Sequence, residues 1–230
     1  MTTADLAGYI QHTEVSATAD RARIEQVLSE CEAHGFAGAM VQPCWVPLAA
    51  ARLADTDSSV CTALGYPLGG DRTLSKVTGI RDAVAAGADE IDVMANIGWL
   101  KSGDDDAFRR ELDALVDAAG NATIKLMLEL GGLTDAEAER EIEYAVDAGF
   151  DYLKNSSGFG VGGQATVDRI RFIADRVDGS VGVKASGGIK TGSDAQALLD
   201  AGADLLGASS GVEIVSGDAG AAEEDGGDGY

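Results

Sequence analysis

Short apolar runs and amphipathic, alanine-rich segments alternate along this chain. Eight apolar runs lie near residues 8–13, 38–42, 58–65, 89–96, 123–130, 151–155, 181–186 and 203–208. Between most of them, apolar residues recur at the three- and four-residue spacing of helices, as in segments 19–35, 74–87, 105–120 and 134–149. Strands that alternate with helices indicate a parallel sheet, since each helix returns the chain to the same end of the sheet.

One junction between helix and strand recurs along the chain: the dipeptide Ala-Gly, an acidic residue close behind it and a short apolar run. It appears as AAGADEIDVMAN from Ala85, DAGFDYLKNSS from Asp147 and DAGADLLGASS from Asp200, with a looser fourth copy at His34-Gly35-Phe36. Each glycine suits the left-handed residue that commonly closes a helix. Each apolar run suits a strand that is buried on both faces.

The number of these units predicts a closed sheet. Eight strand-helix units in about 210 residues fit an α/β fold of one domain, a single (β/α)8 TIM barrel, better than an open sheet of five or six strands. No GxGxxG motif follows the first strand, which argues against a dinucleotide-binding fold. We assign residues 1–215 to the barrel and residues 216–230, rich in Gly, Asp and Glu, to a flexible acidic tail.

The charge balance is strongly acidic, with 39 Asp and Glu against 17 Lys and Arg and a formal net charge of -22. Such a surface repels nucleic acid, so a nucleic-acid partner is excluded. Concentrated salt screens the self-repulsion of this surplus, which suits a halophilic, salty cytoplasm. An acidic enzyme of an ordinary cell has a similar composition, and composition alone does not separate the two.

The remaining composition predicts a cytoplasmic protein without a metal site. The first residues carry no basic segment followed by an apolar run, and no stretch is apolar enough to cross a membrane. The three cysteines, Cys31, Cys44 and Cys61, are widely spaced, and only two histidines accompany them. We expect all three cysteines to be reduced packing residues.

Two lysines are the first candidates for chemistry. The chain has six lysines, and Lys154 and Lys184 fall near the C-terminal ends of strands six and seven, the ends that carry the active site in this fold. A lysine at a strand end also commonly reaches solvent or a neighbouring carboxylate. A second ammonium group on the adjacent strand, about 4.8 Å away, lowers the pKa of a lysine and so frees an amine for attack on a carbonyl.

Asp92 interrupts the apolar run of strand four and is expected to point into the barrel, whereas Asp89 and Glu90 fit a loop or the strand start. The alternative role for Asp92 is a salt bridge to a barrel lysine without chemistry. Small residues follow the last three strands, in segments 155–158, 185–190 and 207–211. Each segment alone also fits an ordinary turn, but at consecutive strand ends they predict a phosphate-binding site.

Taken in order, the segments VCTALGYPLGG, AAGADEIDVMANIGWLKSG, DYLKNSSGFG, VGVKASGGI and GASSGV resemble the deoxyribose-phosphate aldolase family over about residues 6–212. The resemblance implies reversible retro-aldol cleavage of 2-deoxy-D-ribose 5-phosphate to D-glyceraldehyde 3-phosphate and acetaldehyde, in deoxyribose phosphate catabolism, without a metal or cofactor. It implies that Lys154 forms the Schiff base, that Lys184 tunes it and that Asp92 moves protons. The phosphate contacts it implies are Gly158, Gly187, Gly188, Gly207, Ser209 and Ser210. Relatives are often dimers or larger, which implies a homo-oligomer.

The chain departs from that family at three positions. Gln11 lies where relatives commonly have an aspartate, in the segment Gln11-His12-Thr13, and a glutamine cannot ionise. Lys190 replaces a common arginine and keeps the charge without the fork geometry. Met40 lies where many relatives have cysteine. Thr13 and Lys190 are candidate accessory residues of the site.

Tyr230 is a third accessory candidate. The tail is either solvated chain without a role or, with a reach of about 20 Å, long enough to bring the phenol to the barrel mouth for proton transfer. Two other functions stay open for the chain: a Schiff-base aldolase that takes a different donor such as a ketose phosphate, and a non-catalytic sugar-phosphate sensor. Assays with a panel of substrates separate an aldolase with a different donor from a deoxyribose-phosphate aldolase. For the non-catalytic sensor, Gln11 would be the first sign of lost catalysis.

The acidic surface generates a prediction about salt. We expect the thermal midpoint to rise steeply between roughly 0.1 and 2 M KCl, because the Debye length falls from about 10 Å to under about 3 Å and carboxylate repulsion is screened. Thermal unfolding followed by circular dichroism measures this dependence. A midpoint that stays flat over this range would contradict adaptation to a salty cytoplasm.

Overall fold

The computed structural model describes residues 3–217 and contains a closed barrel of eight parallel strands. The strands are β1 Ile10–Glu14, β2 Gly38–Val41, β3 Ser59–Leu64, β4 Glu90–Met94, β5 Thr123–Met127, β6 Tyr152–Lys154, β7 Gly182–Ser186 and β8 Leu205–Ala208. Each strand pairs with the next along the chain, and β8 pairs with β1. The predicted single (β/α)8 TIM barrel is confirmed.

Helices connect the strands and cover the outside of the barrel. They are α1 Arg21–His34, α2 Val46–Leu53, α3 Thr73–Ala85, α4 Ile97–Ser102, α5 Asp105–Ala119, α6 Asp135–Ala148, α7 Val167–Val177, α8 Gly192–Asp200 and α9 Gly211–Ser216. The four predicted helical segments correspond to α1, α3, α5 and α6, each shorter than predicted by a few residues at most. The short helices α2 and α4 were not predicted, because eight and six residues carry too little periodicity.

The recurrent Ala-Gly-acid junction has a structural explanation at the N-terminal ends of the strands. Its glycines adopt positive φ, for example 90° at Gly149, where the backbone N–H also closes α6. Its acidic residues bind the backbone near the start of the preceding strand. The carboxylates of Asp89, Asp151 and Asp204 each accept a hydrogen bond, 2.8 Å long, from the N–H of Val60, Ile124 and Val183, respectively. The junction therefore fixes the register between neighbouring strands.

Apolar side chains form two clusters. The larger cluster fills the space between the outside of the barrel and the helices. The smaller one lies among inward-facing positions and consists of Met40, Cys61, Ala63, Met94 and Met127. Cys31 and Cys61 are buried as expected, and burial raises the pKa of Cys31 to about 12. The expectation for Cys44 was wrong: it lies exposed in the turn that precedes α2.

The end of the barrel lies at α9, whose last residue is Ser216. Residues 218–230, which include Tyr230 and nearly all of the proposed tail, lie outside the described part of the chain. Within residues 3–217, no helix combines the length and the apolar character needed to cross a membrane.

A buried ion pair joins α3 to α5. The Lys76 ammonium donates to Glu111 Oε1 at 2.8 Å and to the carbonyl of Met94 at 2.9 Å, and both charged side chains are at most 1% exposed. The Thr73 hydroxyl donates to the other oxygen of Glu111 at 2.8 Å. The pair thus anchors two helices to the end of β4.

Replacing one partner of this pair should cost far more stability than replacing an exposed pair. We expect Lys76→Met to lower the free energy of unfolding by about 3 kcal/mol, because it leaves the Glu111 carboxylate buried without a cation. Urea unfolding measures the loss. The control is Arg21→Ala, which breaks an exposed pair with Glu25 and should cost less than about 1 kcal/mol. Equal losses in the two variants would contradict a structural role for the buried pair.

Candidate active site

The barrel interior brings two of the predicted lysines onto one carboxylate. The Nζ atoms of Lys154 and Lys184 lie 2.9 and 2.7 Å from the same oxygen, Oδ2 of Asp92. Strand register explains the arrangement, because Lys154 on β6 pairs directly with Lys184 on β7. All three side chains are buried, and Lys154, the last residue of β6, keeps 5% of its side chain exposed while the other two keep none.

A third lysine, Lys125, completes this cluster and was not predicted. It pairs with Asp92 in the ladder between β4 and β5, and its Nζ lies 3.5 Å from Asp92 Oδ1. Its ammonium also forms an ion pair with Glu90 and lies 5.6 Å from the ring centroid of Tyr152. The signal in the sequence was the same as for Asp92, a charged residue inside an apolar run, here TIKLM.

Gln11 and Glu90 extend the cluster across the barrel. Glu90 begins β4 as expected, but its side chain faces the interior on the same side of the strand as Asp92. Gln11 on β1 is fully buried; its Oε1 accepts a hydrogen bond from Lys184, and its Nε2 donates to Glu90 Oε2 at 2.8 Å. One continuous network therefore links Lys154, at the strand ends, to Glu90, at the strand starts.

The charges of this network shift the pKa values of its members in opposite directions. Burial alone would raise the pKa of Asp92, but the ammonium groups of Lys154, Lys184 and Lys125 outweigh burial and hold it below its ordinary value. Burial and the two neighbouring ammonium groups lower the pKa of Lys184 to about 8, against the attraction of Asp92. Burial also disfavours the charged form of Lys125, yet the carboxylates of Asp92 and Glu90 raise its pKa. Asp92 is thus an anion, and Lys184 is close to losing its proton at neutral pH.

An amide clamp fixes the strand ends around the lysines. The Asn155 side chain donates from Nδ2 to the carbonyl of Ser186 at 3.1 Å and accepts from the N–H of Ser186 at 2.8 Å. This pair of bonds ties β6 to β7 beyond the point where β6 ends at Lys154. The relative position of Lys154 and Lys184 therefore depends on one buried asparagine.

The loop after β6 is held by a buried glutamate that the sequence analysis missed. Glu129, in the left-handed conformation with φ of 53°, accepts from the N–H and the hydroxyl of Ser157 at 2.7 and 2.9 Å. Tyr66, after β3, donates its hydroxyl to the Ser157 carbonyl and meets the ring of Phe159 edge to face, with centroids 5.4 Å apart. Two neighbouring loops thereby hold the β6 loop at the C-terminal ends of the strands, which we call the mouth of the barrel.

The predicted phosphate-binding glycines lie at two depths in the barrel. Gly158 and Gly187 are neighbours at the mouth, since a Cβ on Gly158 would lie 3.9 Å from the Cα of Gly187. Gly188 packs against the Gln164 side chain in the same region. Gly207 instead lies inside the barrel, where a Cβ would come within 3.3 Å of the Lys184 side chain. Its missing side chain makes room for that lysine.

The other candidates occupy separate places. Ser209 is exposed after β8, and Ser210 directly precedes α9. Lys190 is exposed in the loop between β7 and α8. Thr13 donates its hydroxyl to the carbonyl of Gln11 on its own strand at 2.9 Å, and Met40 is buried in the smaller apolar cluster. No three His, Cys, Asp or Glu side chains within residues 3–217 are grouped so as to hold a metal ion.

Curated relatives match nearly the whole chain. A deoxyribose-phosphate aldolase of Streptococcus equi subsp. zooepidemicus is 41% identical over 210 residues, which cover 91% of this chain and 95% of that protein. Deoxyribose-phosphate aldolase 2 of Bacillus licheniformis is 42% identical over 220 residues, covering 95% of this chain and 98% of that protein. Identity at this level over full length indicates shared fold and shared ancestry.

Solved structures and a family model agree with these relatives. The structure described as QR15, an aldolase, is 32% identical with a TM-score of 0.88 and covers 92% of this chain and 95% of its own. The deoxyribose phosphate aldolase of Aeropyrum pernix, described as having a unique tetrameric structure, is 27% identical with a TM-score of 0.87 and covers 94% of this chain and 91% of its own. The model of the DeoC/LacD family aldolases matches residues 10–217. The chain therefore belongs to the DeoC/LacD family of aldolases.

Proposed function

We propose that this protein cleaves 2-deoxy-D-ribose 5-phosphate reversibly into D-glyceraldehyde 3-phosphate and acetaldehyde through a Schiff base on Lys154. The observation that carries this proposal is the pair of lysines on one buried carboxylate at the mouth of the barrel. The family's activity, as the names of the relatives describe it, identifies the substrate. The place of the reaction in the cell is the catabolism of deoxyribose phosphates.

Lys154 is the better placed of the two lysines for covalent chemistry. It is the last residue of β6, whereas β7 continues for two residues beyond Lys184. Its side chain retains 5% exposure, and that of Lys184 retains none. A substrate that enters from the mouth therefore meets the Lys154 amine first, and Lys184 lies behind it, held by Asp92 and Gln11.

The chemistry requires a neutral amine and then a protonated imine. The Lys154 amine adds to the C1 aldehyde of the open-chain sugar, and loss of water gives the Schiff base. The iminium nitrogen then draws the electrons of the C2–C3 bond as the C3 hydroxyl loses its proton, which releases D-glyceraldehyde 3-phosphate and leaves an enamine. A proton added to the enamine carbon and water added to the imine release acetaldehyde and restore Lys154.

Lys184 is suited to moving the protons of these steps, and Asp92 is suited to holding the two lysines together. With its pKa lowered to about 8, Lys184 takes up or gives up a proton near neutral pH. Asp92 stays ionised, because its pKa is lowered, and its Oδ2 is hydrogen-bonded to both lysines. The carboxylate thus holds the proton donor and the nucleophile at one point and stabilises the positive charge that forms on the iminium nitrogen.

The substrate phosphate is assigned to the loops after β6, β7 and β8. Gly158, Gly187 and Gly188 lie at the mouth without side chains that would block an anion, and the N–H of Gly158 donates to the Ser156 hydroxyl at 2.9 Å. Ser209 and Ser210 add hydroxyl groups at the start of α9, which matches the usual phosphate position in these barrels. Gly207 lies deeper, so its contribution is space for Lys184 rather than a contact with phosphate.

The proposal extends to assembly as a homo-oligomer. The Aeropyrum pernix relative is described as tetrameric. On this chain, Leu68 and Leu74 are large apolar side chains that are 85% and 68% exposed in the isolated subunit. Contact with a second subunit would remove such side chains from water.

Trapping of the covalent intermediate tests the role of Lys154. Borohydride reduction in the presence of 2-deoxy-D-ribose 5-phosphate should add mass to the peptide that contains Lys154, because reduction makes the imine permanent. Peptide mass spectrometry locates the adduct. Lys101→Met, which removes an exposed lysine, is the matched control and should leave the adduct intact, whereas Lys154→Met should abolish it. An adduct on Lys184 would reverse the two roles.

Replacement of Lys184 tests the electrostatic part of the mechanism. We expect Lys184→Leu to fold and to slow cleavage near pH 7 by orders of magnitude, because it removes the second ammonium group that shares Asp92 with Lys154 and, with it, the repulsion between the two cations. Activity should recover in part at high pH. The dependence of kcat/KM on pH measures this change, and a profile with the shape of the wild-type profile would disprove the electrostatic role of Lys184.

A further inference from the structure

The loop between β6 and α7 meets the turn that follows β7 at close range. The N–H of Ala165 donates to the carbonyl oxygen of Gly187 at 2.9 Å. A Cβ on Gly187 would lie 3.0 Å from the carbonyl oxygen of Gly163, and a Cβ on Gly188 would lie 2.9 Å from Cδ of Gln164. Gly187 and Gly188 also have positive φ, at 99° and 73°. The close approach of the two segments therefore requires glycine at both positions of the turn.

Gln164 brings a carboxamide to this contact. Its side chain is exposed to solvent and lies against Gly188, one of the glycines assigned to the substrate phosphate. In the described part of the chain, the hydrogen bonds of Gln164 involve its backbone carbonyl and not its side-chain amide. A carboxamide carries two N–H donors, and a phosphate group carries oxygens that accept hydrogen bonds. The Gln164 side chain thus supplies the donors that an anion at Gly188 needs.

Arg169, in the first turn of α7, fixes the backbone of this loop. Its Nη1 donates to the carbonyl oxygens of Gly162 and Gln164 at 2.7 and 3.2 Å. The backbone N–H of Arg169 donates to the Thr166 hydroxyl at 3.2 Å, the bond that caps α7. Both partners of Nη1 are neutral carbonyl groups, so these bonds leave the positive charge of the guanidinium uncancelled. The arginine therefore anchors Gln164 and also brings a positive charge to the loop.

We propose that Gln164 is a further binding residue for the substrate phosphate and that Arg169 is its positioning residue. This inference rests on the proposed function, which assigns the phosphate to the loops after β6, β7 and β8. The Gln164 amide donates to a phosphate oxygen at the turn formed by Gly187 and Gly188. The bond from Arg169 to the Gln164 carbonyl keeps the side chain over that turn.

This assignment makes the loop after β6 a determinant of specificity for phosphorylated sugars. The phosphate is on C5 of the substrate, whereas the Lys154 amine reacts at C1. A contact with the phosphate therefore contributes to binding without touching the groups that react. A neutral donor suits this place, because a carboxylate would repel the phosphate and an apolar side chain would offer it no hydrogen bond.

Two variants of Gln164 test the inference. The readout is the specificity ratio, which is kcat/KM for 2-deoxy-D-ribose 5-phosphate divided by kcat/KM for 2-deoxy-D-ribose. Gln164→Met keeps the size of the side chain but removes the donors, so the ratio should fall about tenfold. Gln164→Glu keeps the shape and adds a carboxylate, so the ratio should fall about a hundredfold. In both variants, kcat/KM for 2-deoxy-D-ribose should stay near the wild-type value.

The matched control is Gln26→Glu, which adds the same charge at an exposed glutamine on α1. Its specificity ratio should equal that of the wild type. Equal losses with the two sugars in both Gln164 variants would show that the loop has only a structural role. An unchanged ratio in both would show that Gln164 does not contact the phosphate. Either result would overturn the inference.

Arg169→Met tests the positioning role. The specificity ratio should fall about tenfold, because the Gln164 backbone loses its anchor. Arg169→Lys keeps the positive charge without the fork geometry and should retain part of the ratio. If Arg169 acts through Gln164, the double variant Gln164→Met/Arg169→Met should lose less than the product of the two single losses. A loss equal to that product would contradict the positioning role.

Borohydride trapping on the wild-type protein separates this inference from the proposed function. If the wild type forms no adduct with 2-deoxy-D-ribose 5-phosphate, the proposed function fails and the inference about Gln164 fails with it. If the adduct forms and the Gln164 variants keep the wild-type specificity ratio, only the inference fails. If the adduct forms and the ratio falls in both variants but not in the control, both stand.

Discussion

The site depends on a single buried carboxylate that is shared by three ammonium groups. Asp92 accepts hydrogen bonds from Lys154 and Lys184 on one oxygen and faces Lys125 with the other. Removing three ammonium groups from water costs several kcal/mol each unless anions compensate them, and one carboxylate compensates only part. Glu90 supplies the second anion and Gln11 the neutral contact. The uncompensated positive charge disfavours full protonation of the cluster, in agreement with the lowered pKa of Lys184.

The barrel makes this arrangement possible because its strands hold side chains in register. Parallel strands place every second residue inside, so charged residues on four different strands converge on one point. Asp89, Asp151 and Asp204 fix the starts of the strands through caps on neighbouring backbone N–H groups. Asn155 fixes the end of β6 against β7. Structural carboxylates and amides of this kind keep the lysines at contact distances that a looser sheet would not maintain.

The sequence was sufficient for the architecture because eight apolar runs separated by amphipathic segments fit few folds. The inward position of Lys154, Lys184 and Asp92 was also predictable, since each interrupts an apolar run, and their chemical roles stay predictions. Lys125 carries the same signal but lies in the middle of β5, so the expectation of catalytic lysines near strand ends did not include it. The inward direction of Glu90 depended on strand register, which the ambiguous start of β4 did not define.

Contacts across the barrel were beyond sequence reasoning. The partner of Asn155 is a backbone group of Ser186 on the next strand, and the partners of Gln11 lie on β4 and β7, so none of these pairs leaves a local pattern. The presence of a cysteine does not by itself indicate whether the position is buried, so the exposed Cys44 could not be distinguished from the buried Cys31 and Cys61. Local patterns define which residues face inward, whereas the identity of their partners requires the closed barrel.

The acidic surface and the cationic interior act on a phosphorylated substrate over different distances. The net charge of -22 repels an anion at long range in dilute solution. At about 1 M salt the Debye length is about 3 Å, so this repulsion and any attraction by the site both act only at contact. Ions do not screen the lysines from one another in the same way, because Lys125 and Lys184 have no exposed side-chain surface. Burial therefore lets the coupling between the lysines persist under the salt conditions that would suit the surface.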